Sequence, residues 1–117
     1  MVFPLKLYWR RKLLIGGGSA NVATGEATYA FVGAGHGNVA NFSYVVVSGG
    51  STNTAVGQYA VVAGGYLNTA ASSRTVISGG IGNVASQEYA TIGGGHENRA
   101  SGYAAVVAGG VDNTVHG

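Results

Sequence analysis

The chain has 117 residues, of which 22 are Gly, one is Pro, none is Cys and only ten are Asp, Glu, Lys or Arg. That length holds one domain, and the composition excludes a collagen, a disulfide scaffold and a thiolate-metal fold. Four of the six basic residues are Lys6, Arg10, Arg11 and Lys12; beyond them stand Arg74 and Arg99 against Glu26, Glu88, Glu97 and Asp112, so no basic stripe suits a phosphate backbone and no nucleic-acid partner is expected.

In chain order, residues 1–15, MVFPLKLYWRRKLLI, read as a capping or docking segment ahead of a second region, 16–117. The basic cluster follows the first apolar stretch, the reverse of a secretory signal. The stretch is also too short and too charged to span a bilayer as a helix, so no membrane insertion by this chain is expected.

From Gly16 onward one register recurs. Asn38, Asn53, Asn68, Asn83, Asn98 and Asn113 are each fifteen residues apart, and Asn21 precedes Asn38 by seventeen. The two-residue excess falls between Ala23 and Tyr29, where a turn absorbs it. A fixed period of this kind predicts stacked coils, about seven of them. Gly18, Gly35, Gly50, Gly65, Gly80, Gly95 and Gly110 share one register position, which predicts a turn with positive φ or a close backbone approach in every coil. The Asn column three residues later has two structural readings: it tolerates the left-handed region and bonds its own turn, or it forms an amide ladder along the stack.

Within each repeat, Ile15, Val32, Val47, Val62, Ile77, Ile92 and Val107 form a column of β-branched aliphatics suited to a pleated, buried surface. Two residues earlier stand Leu13, Ala30, Val45, Ala60, Thr75, Ala90 and Ala105, and the period of two puts both columns on one strand face. A third column, Ala23, Ala40, Ala55, Ala70, Ala85, Ala100 and Val115, is small throughout apart from its last member. Two short strands per coil, packed flat through a thin core, follow from that pattern: an all-β parallel roll, or β-solenoid.

Strand alternation points the intervening column outward, yet it too is apolar: Leu14, Phe31, Val46, Val61, Val76, Thr91 and Val106. Beside it run Tyr29, Tyr44, Tyr59 and Tyr89, interrupted by Arg74 and Ala104. At the spacing of adjacent strands this stripe extends about 30 Å. Soluble monomers rarely expose so long an apolar patch, so the stripe is read as an oligomer interface, with a second copy of the chain as partner.

The run GG-x-x-N-x-A-x-G-x-Y-A-x-V, from Gly49 to Val62 and again around Gly94 to Val107, resembles the head repeats of the trimeric autotransporter adhesins, the YadA-like heads. The resemblance covers residues 13–117. It implies a left-handed parallel β-roll, three of them side by side around a threefold axis, and an extracellular or cell-surface adhesive role exercised by multivalent contact. On that reading the ligand-facing residues are the outward positions that repeat least, such as Tyr66, Leu67, Arg74, Glu88, Glu97 and Arg99. The family repeat is usually one residue shorter per coil. The alternative is a self-assembling extracellular filament or phage-type fibre subunit: the chain stops at Gly117 in mid-repeat, and residues 1–15 of another copy are a candidate to complete the last coil.

No catalytic constellation, metal site or cofactor is expected. His36 and His96 share a repeat position but are four coils apart, Glu88 and Glu97 have no carboxylate partner at acid–base spacing, and no Ser-His-Asp or H-x-x-x-H pattern occurs. The Gly pairs lack the Lys of a phosphate-binding loop and the last Gly of a dinucleotide fingerprint. An ice-binding solenoid stands third, because the column after Asn reads Val22, Val39, Thr54, Thr69, Val84, Arg99 and Thr114 and is no continuous Thr ladder.

Overall fold

The computed structural model describes residues 12–24 and 29–117; most of the N-terminal segment, and the site of the two-residue excess, lie outside them. Alternation of apolar residues with turn residues every few positions leaves room for strands of two residues only. One set comprises Leu14–Ile15 (β1), Phe31–Val32 (β3), Val46–Val47 (β5), Val61–Val62 (β7), Val76–Ile77 (β9), Thr91–Ile92 (β11) and Val106–Val107 (β13). The other comprises Val22–Ala23 (β2), Val39–Ala40 (β4), Thr54–Ala55 (β6), Thr69–Ala70 (β8), Val84–Ala85 (β10), Arg99–Ala100 (β12) and Thr114–Val115 (β14).

Odd strands pair only with odd strands and even with even, giving two seven-stranded sheets with parallel pairing throughout. The protein is an all-β parallel β-solenoid of about seven coils. Leu14 pairs with Phe31 across seventeen residues and Phe31 with Val46 across fifteen, so the insertion is absorbed without a slip of register. A slip would turn every core side chain to solvent.

In the central strands the first residue is half-buried and the second fully buried, as the period of two requires. The core is Val32, Val47, Val62, Ile77 and Ile92 packed against Ala40, Ala55, Ala70, Ala85 and Ala100, with Ala30, Val45, Ala60, Thr75 and Ala90 beside them. Facing a β-branched column with alanines keeps the two sheets close. The buried hydroxyl of Thr75 donates to the Ser72 carbonyl at 2.7 Å, which satisfies it inside an otherwise apolar column. Leu13 and Ile15, expected in the core, are 41% and 43% exposed: among the described residues the first coil is flanked on one side only.

Two positive-φ positions turn the chain in each of the seven coils. Gly18, Gly35, Gly50, Gly65, Gly80, Gly95 and Gly110 have φ between +81° and +103°, as their column predicts. The Asn residues do not take the left-handed conformation. The residue before each does, whether Ala20, Gly37, Thr52, Leu67, Gly82, Glu97 or Asp112, at φ of +54° to +66°. That range is the small left-handed basin open to L-residues, and φ near +90° lies outside it, which is why the first column is all Gly and the second is not.

With its neighbour supplying the turn, the Asn side chain points inward. Asn53 donates from its backbone N–H to Asn38 Oδ1 at 3.0 Å, and from Nδ2 to Asn38 Oδ1 at 3.1 Å, to its own coil's Gly49 carbonyl at 3.1 Å and to the next coil's Gly65 carbonyl at 2.9 Å. Both sequence-level roles, the ladder and the bond to the turn, are therefore filled by one buried amide. Asn38, Asn53, Asn68, Asn83 and Asn98 are fully buried or nearly so, Asn21 is half-buried and Asn113 exposed. Among the described residues no buried side-chain nitrogen or oxygen lacks a partner.

Candidate functional site

Parallel pairing in strict register places equivalent side chains one above the next, so each outward column becomes a continuous surface feature. The predicted interface column is one of these. Phe31, Val46, Val61, Val76 and Thr91 are half-buried on the outer face of the odd-strand sheet, and Leu14 and Val106 at its two ends are exposed.

The tyrosines lie at the adjoining corner. Tyr59 is the third residue of a turn closed by the Ala60 N–H donating to the Gly57 carbonyl at 2.9 Å, and its φ is +62°. Tyr29, Tyr44 and Tyr89 have φ of +62°, +60° and +64°, and Arg74 and Ala104 in the same column have +57° and +56°. A bulky residue in this conformation costs about 1–2 kcal/mol relative to the right-handed basin. Face-to-face contact along the stack offsets the cost. Tyr29 and Tyr44 stack with ring centroids 5.3 Å apart, and Tyr44 and Tyr59 at 4.9 Å with planes 7° apart. Such pairs contribute about 0.5–1.5 kcal/mol each beyond area burial.

Arg74 does not break this column; it continues it. Its guanidinium lies 5.5 Å from the ring centres of both Tyr59 and Tyr89 and is held by Glu88 Oε2 at 2.9 Å. Tyr103, from the residue before Ala104, meets Tyr89 edge-on at 5.5 Å. The ion pair is too exposed to be worth much alone, but it fixes the guanidinium plane between the rings. Arg74→Ala is therefore expected to cost about 1 kcal/mol, read as a lower urea midpoint, while Arg74→Tyr is expected near neutral. Equal midpoints for Arg74→Ala and the parent chain would show that the rings are not coupled through Arg74.

A third outward line was not anticipated from sequence. Ser19, His36, Ser51, Tyr66, Ile81, His96 and Val111 form single parallel bridges from coil to coil at the corner after the invariant Gly. One paired residue per coil leaves no alternation to detect. Tyr66, Leu67 and Ile81 make an exposed apolar cluster there. The six least-repeated outward residues do not share a face: Tyr66, Leu67 and Glu97 belong to this corner, Arg74 and Glu88 to the tyrosine corner, and Arg99 to the outer face of the even-strand sheet.

His36 and His96 are four steps apart on the bridge line, and His96 Nε2 lies 3.4 Å from Glu97 Oε1. Among the described residues no three His, Cys, Asp or Glu side chains are grouped as a metal would need, and no helix is long and apolar enough to cross a membrane.

Neither a family model nor a curated protein matches this sequence. Among the described residues the geometry offers an apolar column and an aromatic ladder running side by side from coil to coil.

Proposed function

We propose that this chain is a non-enzymatic structural and adhesive fibre element that associates side by side as a homotrimer through the Leu14 to Val106 column, with the tyrosine corner left at the edge of the contact. The observation that carries the reading is the outward column itself: seven consecutive coils present Leu, Phe, Val, Val, Val, Thr and Val at one position on a sheet face. Contiguous apolar surface of that length is typical of interfaces rather than of free monomer surfaces. A thin Val-on-Ala core gains further apolar burial by association. Left-handed winding and an extracellular or cell-surface setting accompany the resemblance to trimeric adhesin heads, and multivalent contact through the exposed corners is the corresponding mode of action.

Light scattering behind size exclusion tests the assembly. A species near 35 kDa, three times the 11.6 kDa protomer, is expected, and Val61→Asp combined with Val76→Asp is expected to return it to protomer mass with the β-signal retained. A parent chain that runs as a stable monomer overturns the proposal, as does an unchanged mass for the double variant.

End-to-end stacking into a filament is the second reading. It is favoured by the interchangeability of the coils, since the same register in every pair lets a coil from another copy continue both sheets. Fibres of uniform width at the void volume would support it in place of the finite trimer.

A further inference from the structure

The tyrosine ladder has a chemical consequence that does not depend on any oligomer. In-register parallel coils hold Tyr29, Tyr44 and Tyr59 as a stack of phenols, with centroid separations of 5.3 and 4.9 Å and interplanar angles of 23° and 7°. The three residues are 47%, 41% and 44% exposed, which leaves the outer part of the stack accessible to a small oxidant. Both faces of Tyr44 are occupied by its neighbours, and Tyr59 lies between Tyr44 and the Arg74 guanidinium. Edge chemistry is what remains available to those two rings.

We propose that Tyr29, Tyr44 and Tyr59 form an oxidative cross-linking site at which one-electron oxidation joins neighbouring coils covalently as dityrosine. Each of two adjacent phenols gives up one electron and one proton to become a phenoxyl radical. The two radicals combine through the ring carbons ortho to oxygen, forming one carbon–carbon bond, and the hydrogen on each of those carbons moves to its oxygen to restore aromaticity. The net change is loss of two hydrogen atoms. The co-reactant is a peroxidase-type one-electron oxidant working with hydrogen peroxide, whose two-electron reduction to two waters balances the step. Radical pairing is second order and ordinarily limited by encounter; the stack places the partners in contact before oxidation, the proximity effect seen in intramolecular reactions generally.

Position in the ladder sets which bonds form. Tyr44 neighbours both other rings and has two ortho carbons, so it joins either or both. Arg74 stands between Tyr59 and Tyr89 and stops the chain of coupling there. Tyr66 is as exposed as the ladder, at 45%, and among the described residues it has no ring neighbour, so it serves as an internal control.

The full chain is treated with horseradish peroxidase and limiting hydrogen peroxide, then analysed by dityrosine fluorescence, denaturing electrophoresis and fragment mass spectrometry. The expected product runs at protomer size, has lost two hydrogens per bond and carries 29–44 or 44–59 linkages, in a yield independent of protein concentration. Tyr44→Phe is expected to remove both linkages, Tyr59→Phe to leave 29–44 alone, and Arg74→Tyr to add a 59–74 linkage. Consumption of tyrosine without the 29–44 or 44–59 bond overturns the proposal. So does product found mainly between chains, or linkages dominated by Tyr66. Circular dichroism of each variant separates loss of the linkage from loss of the fold.

Discussion

Asn68→Ala is expected to lower unfolding free energy by about 3–5 kcal/mol, a large fraction of a stability that is typically about 5–15 kcal/mol for a domain. Asn68 Oδ1 accepts from the backbone N–H and the Nδ2 of Asn83 at 3.0 and 3.1 Å, and Asn68 Nδ2 donates to Asn53 Oδ1 and to the carbonyls of Gly64 and Gly80 at 3.1, 3.1 and 2.9 Å. Truncation strands the buried Asn83 N–H and the Gly64 carbonyl, and leaves a gap that the close-packed coils cannot easily fill. A stranded buried polar group costs about 1–3 kcal/mol, and the cavity adds to it.

The comparison that decides between ladder and turn is Asn113→Ala. Asn113 is exposed, and among the described residues its N–H and side-chain amide bond only backward, to Asn98 Oδ1 and to the Gly109 carbonyl. If the ladder carries the stability, Asn113→Ala costs under about 1 kcal/mol, because water replaces what is lost at an exposed site. Equal losses for the two variants in urea unfolding would mean that each Asn acts only on its own turn. Asn68→Asp keeps the acceptor but removes the donor and buries a charge, and is expected to be at least as damaging as Ala.

Gly65→Ala is the second large effect. At φ of +94° an added Cβ would run into the carbonyl oxygen of Gly80 in the next coil and stand 2.6 Å from Asn68 Nδ2. Those neighbours are backbone and a buried, fully bonded amide, so neither gives way without breaking the stack. A loss of about 4 kcal/mol or more is expected, combining left-handed strain with a backbone clash. The adjacent Gly64→Ala meets nothing within 4 Å, and the second coil carries Ala34 at the equivalent position before its own obligatory Gly35. That variant is expected within about 0.5 kcal/mol of the parent, or slightly above it through reduced freedom of the unfolded chain. Denaturant midpoints for the pair check both; similar losses at 64 and 65 would show that the turn rather than the inter-coil contact sets the need for Gly.

The Asn and Gly columns also mark the boundary between what was legible in the sequence and what was not. A column of identical residues is a statement about a shared environment, and Gly65 and its equivalents announce theirs because no side chain at all is accepted there. The alternation of Val61 with Val62 and of Thr54 with Ala55 likewise declares one buried and one outward face, since strand period and burial are both local properties. All-β class, parallel stacking, coil number and the outward apolar column follow from those patterns alone. The columns on either side of the seventeen-residue step stay aligned, as the Asn spacing on both sides of it implies.

Only the folded molecule decides what depends on neighbours far apart in sequence. Left-handed φ at Tyr59 or Leu67 leaves no local signature, because propensity disfavours it and compensation comes from a residue one coil away. Arg74 reads as an interruption of a tyrosine column until the rings on both sides are seen to hold its guanidinium. The single-residue bridges through Tyr66 and Ile81 are too short to carry a period. The two roles open to Asn became one structure because the residue before it takes the turn, freeing the amide to point inward. In each case residues about fifteen apart in sequence come into contact through the closure of a coil, and contact, unlike periodicity, is not written in any single stretch of chain.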